Sequence, residues 1–224
     1  VRIPITLTSR SLYDRLRKEA VVEVNSMLGE SRQVVAKTVL TLLLRLQQAT
    51  SGFIRPADDG PTETVSTEKL DTTKELVADA LAQRRKVVVF VRFLHDMESL
   101  RGAFGPSVRV GTLVGGQTST ARKAVVDDFR AGKYDVIVAQ IRVASLGIDL
   151  STASVGIFYS LTFSLDEFLQ AKARLLGRHQ THDVTYYHLI ATDTVDDKIY
   201  KALTAKIDIG SRLTELQYTL DLLG

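Results

Sequence analysis

The sequence predicts an α/β fold: a parallel sheet with helices on both faces, a helical extension before it and a helix after it. Three observations predict this. Uninterrupted apolar runs recur from residue 86 onward, as in strands buried on both faces. Stretches with helical spacing separate those runs, and such alternation favours parallel strands joined by right-handed crossovers. Before residue 55 the spacing is helical throughout.

In chain order, Ser9 or Ser11 is placed to cap a first helix carrying Leu12, Leu16 and Ala20. A second helix is predicted from Ser31 to Ala49, with Val35, Val39, Leu42, Leu43 and Leu46 along one stripe. Phe53 to Ser66 gathers Pro56, Asp58, Asp59, Gly60 and Pro61 and reads as a linker. Helical spacing returns from Leu70 to Gln83. The predicted strands are Val87–Val91, Val108–Val114, Val136–Ala139, Val155–Tyr159 and Val184–Ile190. Helices are predicted over Leu94–Phe104, Thr118–Arg130 and Ser164–Leu176. The organisation expected is a helical extension with linker over 1–66, the α/β lobe over 67–204, and a C-terminal helix over 205–224.

Composition narrows the function. With 45% hydrophobic and 25% charged residues, the 224-residue chain is an ordinary globular one, long enough to bury a core without staples. It has no cysteine, which excludes disulfides and thiolate metal sites and points to a reducing, cytoplasmic compartment. No apolar run reaches the ~20 residues that span a bilayer, so no membrane partner is expected. The chain opens on Val1 without a signal pattern, and its lack of an initiator Met predicts a piece of a longer protein. A net charge of +3 permits nucleic-acid binding only through a local basic face.

In a parallel α/β sheet, ligands bind beyond the carboxyl ends of the strands. Attention therefore falls on Arg92, Gly115-Gly116 and Gln140 to Asp149. Gln170-Ala-Lys-Ala-Arg174-Leu-Leu-Gly-Arg178-His-Gln180 is the most informative stretch. Gln170, Arg174 and Arg178 stand four apart, so on a helix each lies about 40° on from the last and the three share a face. An amide and two guanidiniums on one face suit a polyphosphate, whose oxygens match the arginine fork; they equally suit a solvated basic face. Gly177 weakens the helix just before Arg178, which places that arginine at a helix end or a turn.

Ala144-Ser145-Leu-Gly147-Ile-Asp149-Leu150 follows a buried strand. Gly147 allows close backbone approach, and Asp149 can accept from a ribose or an arginine; a polar βα loop explains the same residues. Gly116 to Thr120 open a helix, where amides and hydroxyls hold a phosphate or simply cap. Arg122, Lys123, Arg130 and Lys133 read as a solvated face. His179 and His182 have a ligand-like spacing, but without cysteine or an HExxH helix no metal is expected. The adjacent pairs Asp58-Asp59, Asp127-Asp128 and Asp196-Asp197 point apart and make no dyad. Tyr186-Tyr187 places one ring on each face of a strand. There is no Gly-Lys-Ser/Thr phosphate loop and no Gly-x-Ser-x-Gly elbow.

Taken in order, these pieces resemble the second RecA-like lobe of superfamily-two helicases, in the SWI/SNF-type branch as it occurs in phage and bacterial proteins. Leu7-Thr8 to Leu12-Tyr13 resembles the start of that lobe, and Leu44-Arg45-Leu46-Gln47-Gln48 the helix leading to its linker. Glu68-Lys69-Leu70 is similar to the phrase that opens the lobe proper. Lys86 to Phe93 resembles motif IV, and Gly115-Gly116 through Arg122 to Phe129 the phrase after it. Ser145 to Leu150 resembles motif V, with Asp149 where the family usually has Asn. Gln170 to Gln180 resembles motif VI, and Thr194 to Ile199 the closing phrase.

The resemblance implies a RecA-like lobe that shares ATP and Mg²⁺ with an N-terminal RecA-like lobe of the same protein. It implies ATP hydrolysis coupled to movement along DNA, duplex or single strand. Arg174 and Arg178 are then the catalytic candidates, Gln170, Gly147 and Asp149 the nucleotide-side residues, and Arg92, Gly116, Gln140 and Ser145 the nucleic-acid contacts. The family spaces its motif VI arginines three apart; here Gly177 holds the second position and Arg178 comes one residue late. Without a phosphate loop the chain alone is expected not to hydrolyse ATP. The alternative is a nucleic-acid-binding or assembly module that kept the lobe and lost the motor.

Overall fold

The computed structural model describes residues 2–27, 31–55, 60–177, 180 and 182–205. The chain divides into two compact units.

The first unit holds residues 1–3, 69–162 and 166–189, and its core is a parallel sheet. The strands, in chain order, are β4 (Val87–Val91), β5 (Val110–Leu113), β6 (Val136–Gln140), β7 (Val155–Phe158) and β8 (Thr185–Ala191), with a short β1 (Arg2–Ile5) added beside β8. The order is β1-β8-β7-β4-β6-β5, and every pairing from β8 to β5 is parallel. β4 lies at the centre and is buried at all five positions, as its uninterrupted apolar run requires. The helices are α3 (Glu68–Ala82), α4 (Leu94–Ala103), α5 (Ser119–Arg130), the single turn α6 (Ile141–Ala144) and α7 (Leu165–Ala173). Thr118 starts α5 by accepting the Ala121 amide at 3.1 Å.

The registers Phe90↔Phe158 and Phe158↔His188 set three flat side chains in a row across β4, β7 and β8. Phe90 and Phe158 stack at 4.7 Å, and Phe158 and His188 stack at 5.1 Å. Phe168 of α7 closes over them, 4.9 Å from Phe158 and 5.7 Å from His188. On the neighbouring strand the Tyr186 ring lies over Gly156, where a Cβ would come within 2.8 Å of it. The Tyr186 hydroxyl donates to the Lys172 carbonyl at 2.6 Å, so α7 is held by both packing and a hydrogen bond.

The second unit holds residues 4–68, 163–165 and 190–224. α1 (Arg10–Ser26) packs on α2 (Arg32–Ser51); Tyr13, Ala20 and Val24 of α1 and Val39, Leu42, Leu43 and Leu46 of α2 are buried. α2 ends at Gly52, whose φ of +100° puts it in the left-handed region glycine favours. The segment expected to be a linker forms a small antiparallel pair, β2 (Phe53–Ile54) with β3 (Glu63–Thr64). α8 (Val195–Thr204) is capped by Thr194 and carries Asp196 and Asp197 in its first turn. Buried Asp196 accepts from the Thr50 hydroxyl at 2.9 Å, and the Val195 amide donates to the Tyr13 hydroxyl at 2.7 Å. From residue 206 on, the expected C-terminal helix lies outside the described residues.

One helix is shorter than its spacing predicts. α7 was expected to run to Leu176 but ends at Ala173. Beyond it the backbone tightens into three-residue turns, Arg174 to Ala171, Leu175 to Lys172 and Leu176 to Ala173, at 3.1–3.3 Å. The Arg174 carbonyl turns away to accept the Leu150 amide at 3.0 Å. The helical face expected to carry Gln170, Arg174 and Arg178 therefore stops before Arg174.

Candidate functional site

Parallel pairing aligns the carboxyl ends of the central strands. Val91 is in register with Gln140, and Leu113 with Ala139. Arg92, Gly115-Gly116 and Gln140 to Asp149 consequently emerge along one edge of the sheet, as the sequence suggested. The side chains there differ in how far they are already engaged.

Gln140 holds the neighbouring loop: its side-chain oxygen accepts the Gly115 amide at 2.7 Å. Gly116 sits at φ +87°, and no atom approaches the place of a Cβ there, so its backbone faces open space. Gln117 shapes the same turn, accepting from the Val114 amide at 3.0 Å and donating to the Thr112 carbonyl at 3.1 Å. Arg122 donates to the Gln117 carbonyl at 2.7 Å, so one of the arginines read as solvated surface in fact braces this loop.

Arg92 is half-buried rather than displayed. Its amide donates to Ser160 Oγ at 2.7 Å, and Ser160 in turn donates to buried Asp96 at 2.8 Å. Desolvation pulls the Arg92 guanidinium down to about 10, against the attraction of Glu167. Glu167 accepts from the Thr162 hydroxyl at 2.7 Å.

The loop from Ser145 to Leu150 follows α6 directly. Ser145 donates its hydroxyl to the Arg142 carbonyl at 2.8 Å. Gly147 sits at φ +83° with open space where a Cβ would stand, a conformation that favours glycine. Asp149 folds back on its own chain, accepting the Ser151 amide at 2.9 Å and the Ser151 hydroxyl at 2.6 Å. Its other oxygen meets Arg130 of α5 at 3.4 Å. Between α5 and this loop lies an open cleft of about 340 Å³, with Arg122, Val126 and Arg130 on one wall and Gly147, Ile148 and Asp149 on the other. Arg130, like Arg122, was read as solvated surface. The Asp-x-Ser spacing at 149–151 was the available sign of the turn, but nothing local marks Arg130 as its partner.

Gln170 is half-buried and donates its amide to Asp166 at 2.8 Å, one turn back on α7. Arg174 reaches the Ser145 carbonyl at 2.8 Å. Gly177 lies against Ser151 and Asp149; a Cβ on it would stand 3.0 Å from the Ser151 side chain and 3.4 Å from the Asp149 carboxylate. Arg178 and His179 lie outside the described residues. Among the described residues no group of three carboxylate or imidazole side chains is placed to hold a metal.

The profile of the helicase conserved C-terminal domain matches residues 68–179, half of the chain. The chain belongs to that family. This helicase C-terminal domain is 23% identical over 212 residues to an uncharacterized ATP-dependent helicase of Mycoplasma genitalium, a match that covers 93% of this chain and 20% of that protein. It is 26% identical over 188 residues to the SWI/SNF-related matrix-associated actin-dependent regulator of chromatin subfamily A-like protein 1 of Xenopus tropicalis, covering 79% and 20% respectively. The chain thus spans about a fifth of the length of these curated relatives.

The Sulfolobus solfataricus SWI2/SNF2 ATPase core, solved in complex with dsDNA, superimposes with a TM-score of 0.79 at 22% identity, covering all of this chain and 48% of that one. The C-terminal part of the Fun30 ATPase domain superimposes with a TM-score of 0.73 at 17% identity, covering 99% and 94%. The helicase C-terminal domain thus has the RecA-like fold of SWI2/SNF2 C-terminal lobes, as its motifs led one to expect. The relatives named here lend no support to a phage origin. No described helix is long and apolar enough to cross a membrane.

Proposed function

We propose that this domain is the C-terminal lobe of an ATP-dependent DNA helicase or translocase of the SWI/SNF type. The observation that supports the reading is that the stretches resembling motifs V and VI are joined through Arg174 and the Ser145 carbonyl, beside the aligned carboxyl ends of β4 and β6. In this reading residues 67–204 supply motifs IV, V and VI to an ATP site completed by an N-terminal RecA-like lobe of the same protein, while the same edge forms part of a DNA groove.

The residues present suit a nucleotide's anionic and hydroxyl groups better than a cation. Gly147 leaves its backbone open to approach, Asp149 offers a carboxylate, Gln170 an amide, and motif VI its guanidiniums. No described residues form a carboxylate cluster, so Mg²⁺ is assigned to the other lobe. ATP, when bound, supplies the phosphoanhydride that is cleaved. Arg178 is assigned the guanidinium that stabilises charge developing on the transferred phosphoryl group. Arg174 either supports the γ-phosphate or holds motif VI in place. Arg92, Gly116, Gln140 and Ser145 are assigned to the strand groove.

The test is steady-state phosphate release with and without DNA, from the two-lobe protein and from this chain alone. DNA-stimulated turnover by the two-lobe protein, lost by on the order of 10²-fold in Arg178→Ala and little restored by Arg178→Lys, is expected. The chain alone is expected to release no phosphate above a mock preparation. A two-lobe protein that binds DNA but never hydrolyses ATP would overturn the motor reading in favour of a binding module.

A further inference from the structure

The turn after α7 runs alongside the loop after α6 and is joined to it in step. At the start of the turn, Arg174 donates a guanidinium N–H to the Ser145 carbonyl at 2.8 Å and accepts the Leu150 amide on its own carbonyl at 3.0 Å. Midway, Gly177 lies against Ser151 closely enough that a Cβ would have to displace it. At the end, the Gln180 side chain donates to the Ala153 carbonyl at 2.7 Å and to the Leu175 carbonyl at 3.1 Å. Three successive points of the turn after α7 are thus matched to Ser145–Leu150, Ser151 and Ala153 of the loop after α6.

Arg174 is engaged in this seam by both ends. Its Nε is buried, and no acceptor stands beside it among the described residues, so the side chain runs inward along its length before its tip meets Ser145. A guanidinium held this way is directed at a backbone carbonyl of its own lobe. The seam also explains the departure at position 177. An arginine there would have to start from a Cβ already in contact with Ser151 and the Asp149 carboxylate. Glycine lets the two segments close, and the next arginine in the sequence is at 178.

We propose that Arg174 is a positioning residue that locks the turn after α7 to the loop after α6, rather than a contact to the nucleotide. Ser145 is assigned to the strand groove, so the lock makes one rigid piece of a nucleic-acid contact and the approach to the arginine finger. The proposal deepens the lobe reading above, but its first test does not depend on it.

That test is hydrogen exchange on this chain without nucleotide. In the wild type, the Arg174 guanidinium protons are expected to exchange more slowly than those of exposed Arg101. In Arg174→Ala, and less so in Arg174→Lys, the amides of 146–150 are expected to exchange about 10-fold faster or more, with those of β4 and β6 unchanged. An Arg174 head group that exchanges as fast as Arg101, or loop amides indifferent to both variants, overturns the proposal. If the alanine variant does not fold, the lysine variant and the wild-type guanidinium still decide.

The second test is turnover by the two-lobe protein. Lysine keeps an N–H donor for the Ser145 carbonyl, so Arg174→Lys is expected to stay within about 10-fold of wild type, whereas Arg178→Lys falls by about 10² or more. An Arg174→Lys enzyme as inactive as Arg174→Ala, with wild-type protection of 146–150, makes Arg174 a ligand contact and refutes the positioning role. A wild-type two-lobe protein without turnover counts against the motor reading instead, and the exchange result stands by itself.

Discussion

Phe158→Ala tests the aromatic row that seats α7. Phe158 is fully buried in β7 and touches four rings: Phe90, Phe168, Tyr186 and His188. Truncation removes roughly 100 Å² of buried apolar surface, worth about 2.5 kcal/mol at ~25 cal/mol per Å². The remaining hole adds a cavity term, because β4 and β8 are paired on either side of β7 and their backbones cannot close over it. Together these give about 3–5 kcal/mol, a large share of the stability of a domain this size. Phe158→Leu keeps most of the volume and loses the ring stacking, so about 1–2 kcal/mol is expected. Urea unfolding of the chain, followed by tyrosine fluorescence and circular dichroism, measures both variants. A loss below about 1 kcal/mol for the alanine variant, with unchanged slope, would mean that the ring row carries little of the packing. The consequence for function follows directly: loosening Phe168 frees the helix that leads into Arg174.

Tyr186→Phe removes the donor to the Lys172 carbonyl and should cost about 1 kcal/mol in the same unfolding assay. Burial also raises the Tyr186 hydroxyl to about 12, so its folded form resists ionisation; wild-type stability should decline above the ordinary tyrosine value near 10, and the phenylalanine variant should lose part of that decline. Asp135 is held below its usual value of 3.8, first by the hydrogen bond from Arg109. A depressed carboxylate stabilises above its unfolded pKa and loses that contribution as pH falls through the folded value, so wild-type midpoints should drop below about pH 4 and Asp135→Asn should flatten that part of the profile. Gly52→Ala places a Cβ against the Ser66 carbonyl at a left-handed φ of +100° and should destabilise the α1–α2 unit by more than about 1 kcal/mol, read as faster amide exchange in α2.

What could be read from the residues alone follows from burial. A strand covered on both faces must be apolar throughout, so Val87–Val91, Val136–Ala139 and Val155–Tyr159 announced themselves, and the helical stripes between them made the sheet parallel. From that alone the carboxyl edge and its candidate residues followed, Gly116 and Gly147 among them. Short pairings carry no such period: β1, the β2–β3 pair and the single turn α6 are set by neighbours distant in sequence. The end of α7 was hidden for the same reason. Helical spacing runs on to Leu176, but α7 stops at Ala173, and beyond it the Arg174 carbonyl accepts the Leu150 amide, 24 residues away in the chain. Tertiary contact likewise decided which charged groups are engaged. Spacing could place Arg174 beside Gln170 and leave Arg130 in solvent; folding turned Arg174 onto Ser145 and brought Arg130 to Asp149. A hydrogen-bonding side chain is satisfied by whatever the fold brings near it, and that proximity is a property of three dimensions which no local pattern encodes.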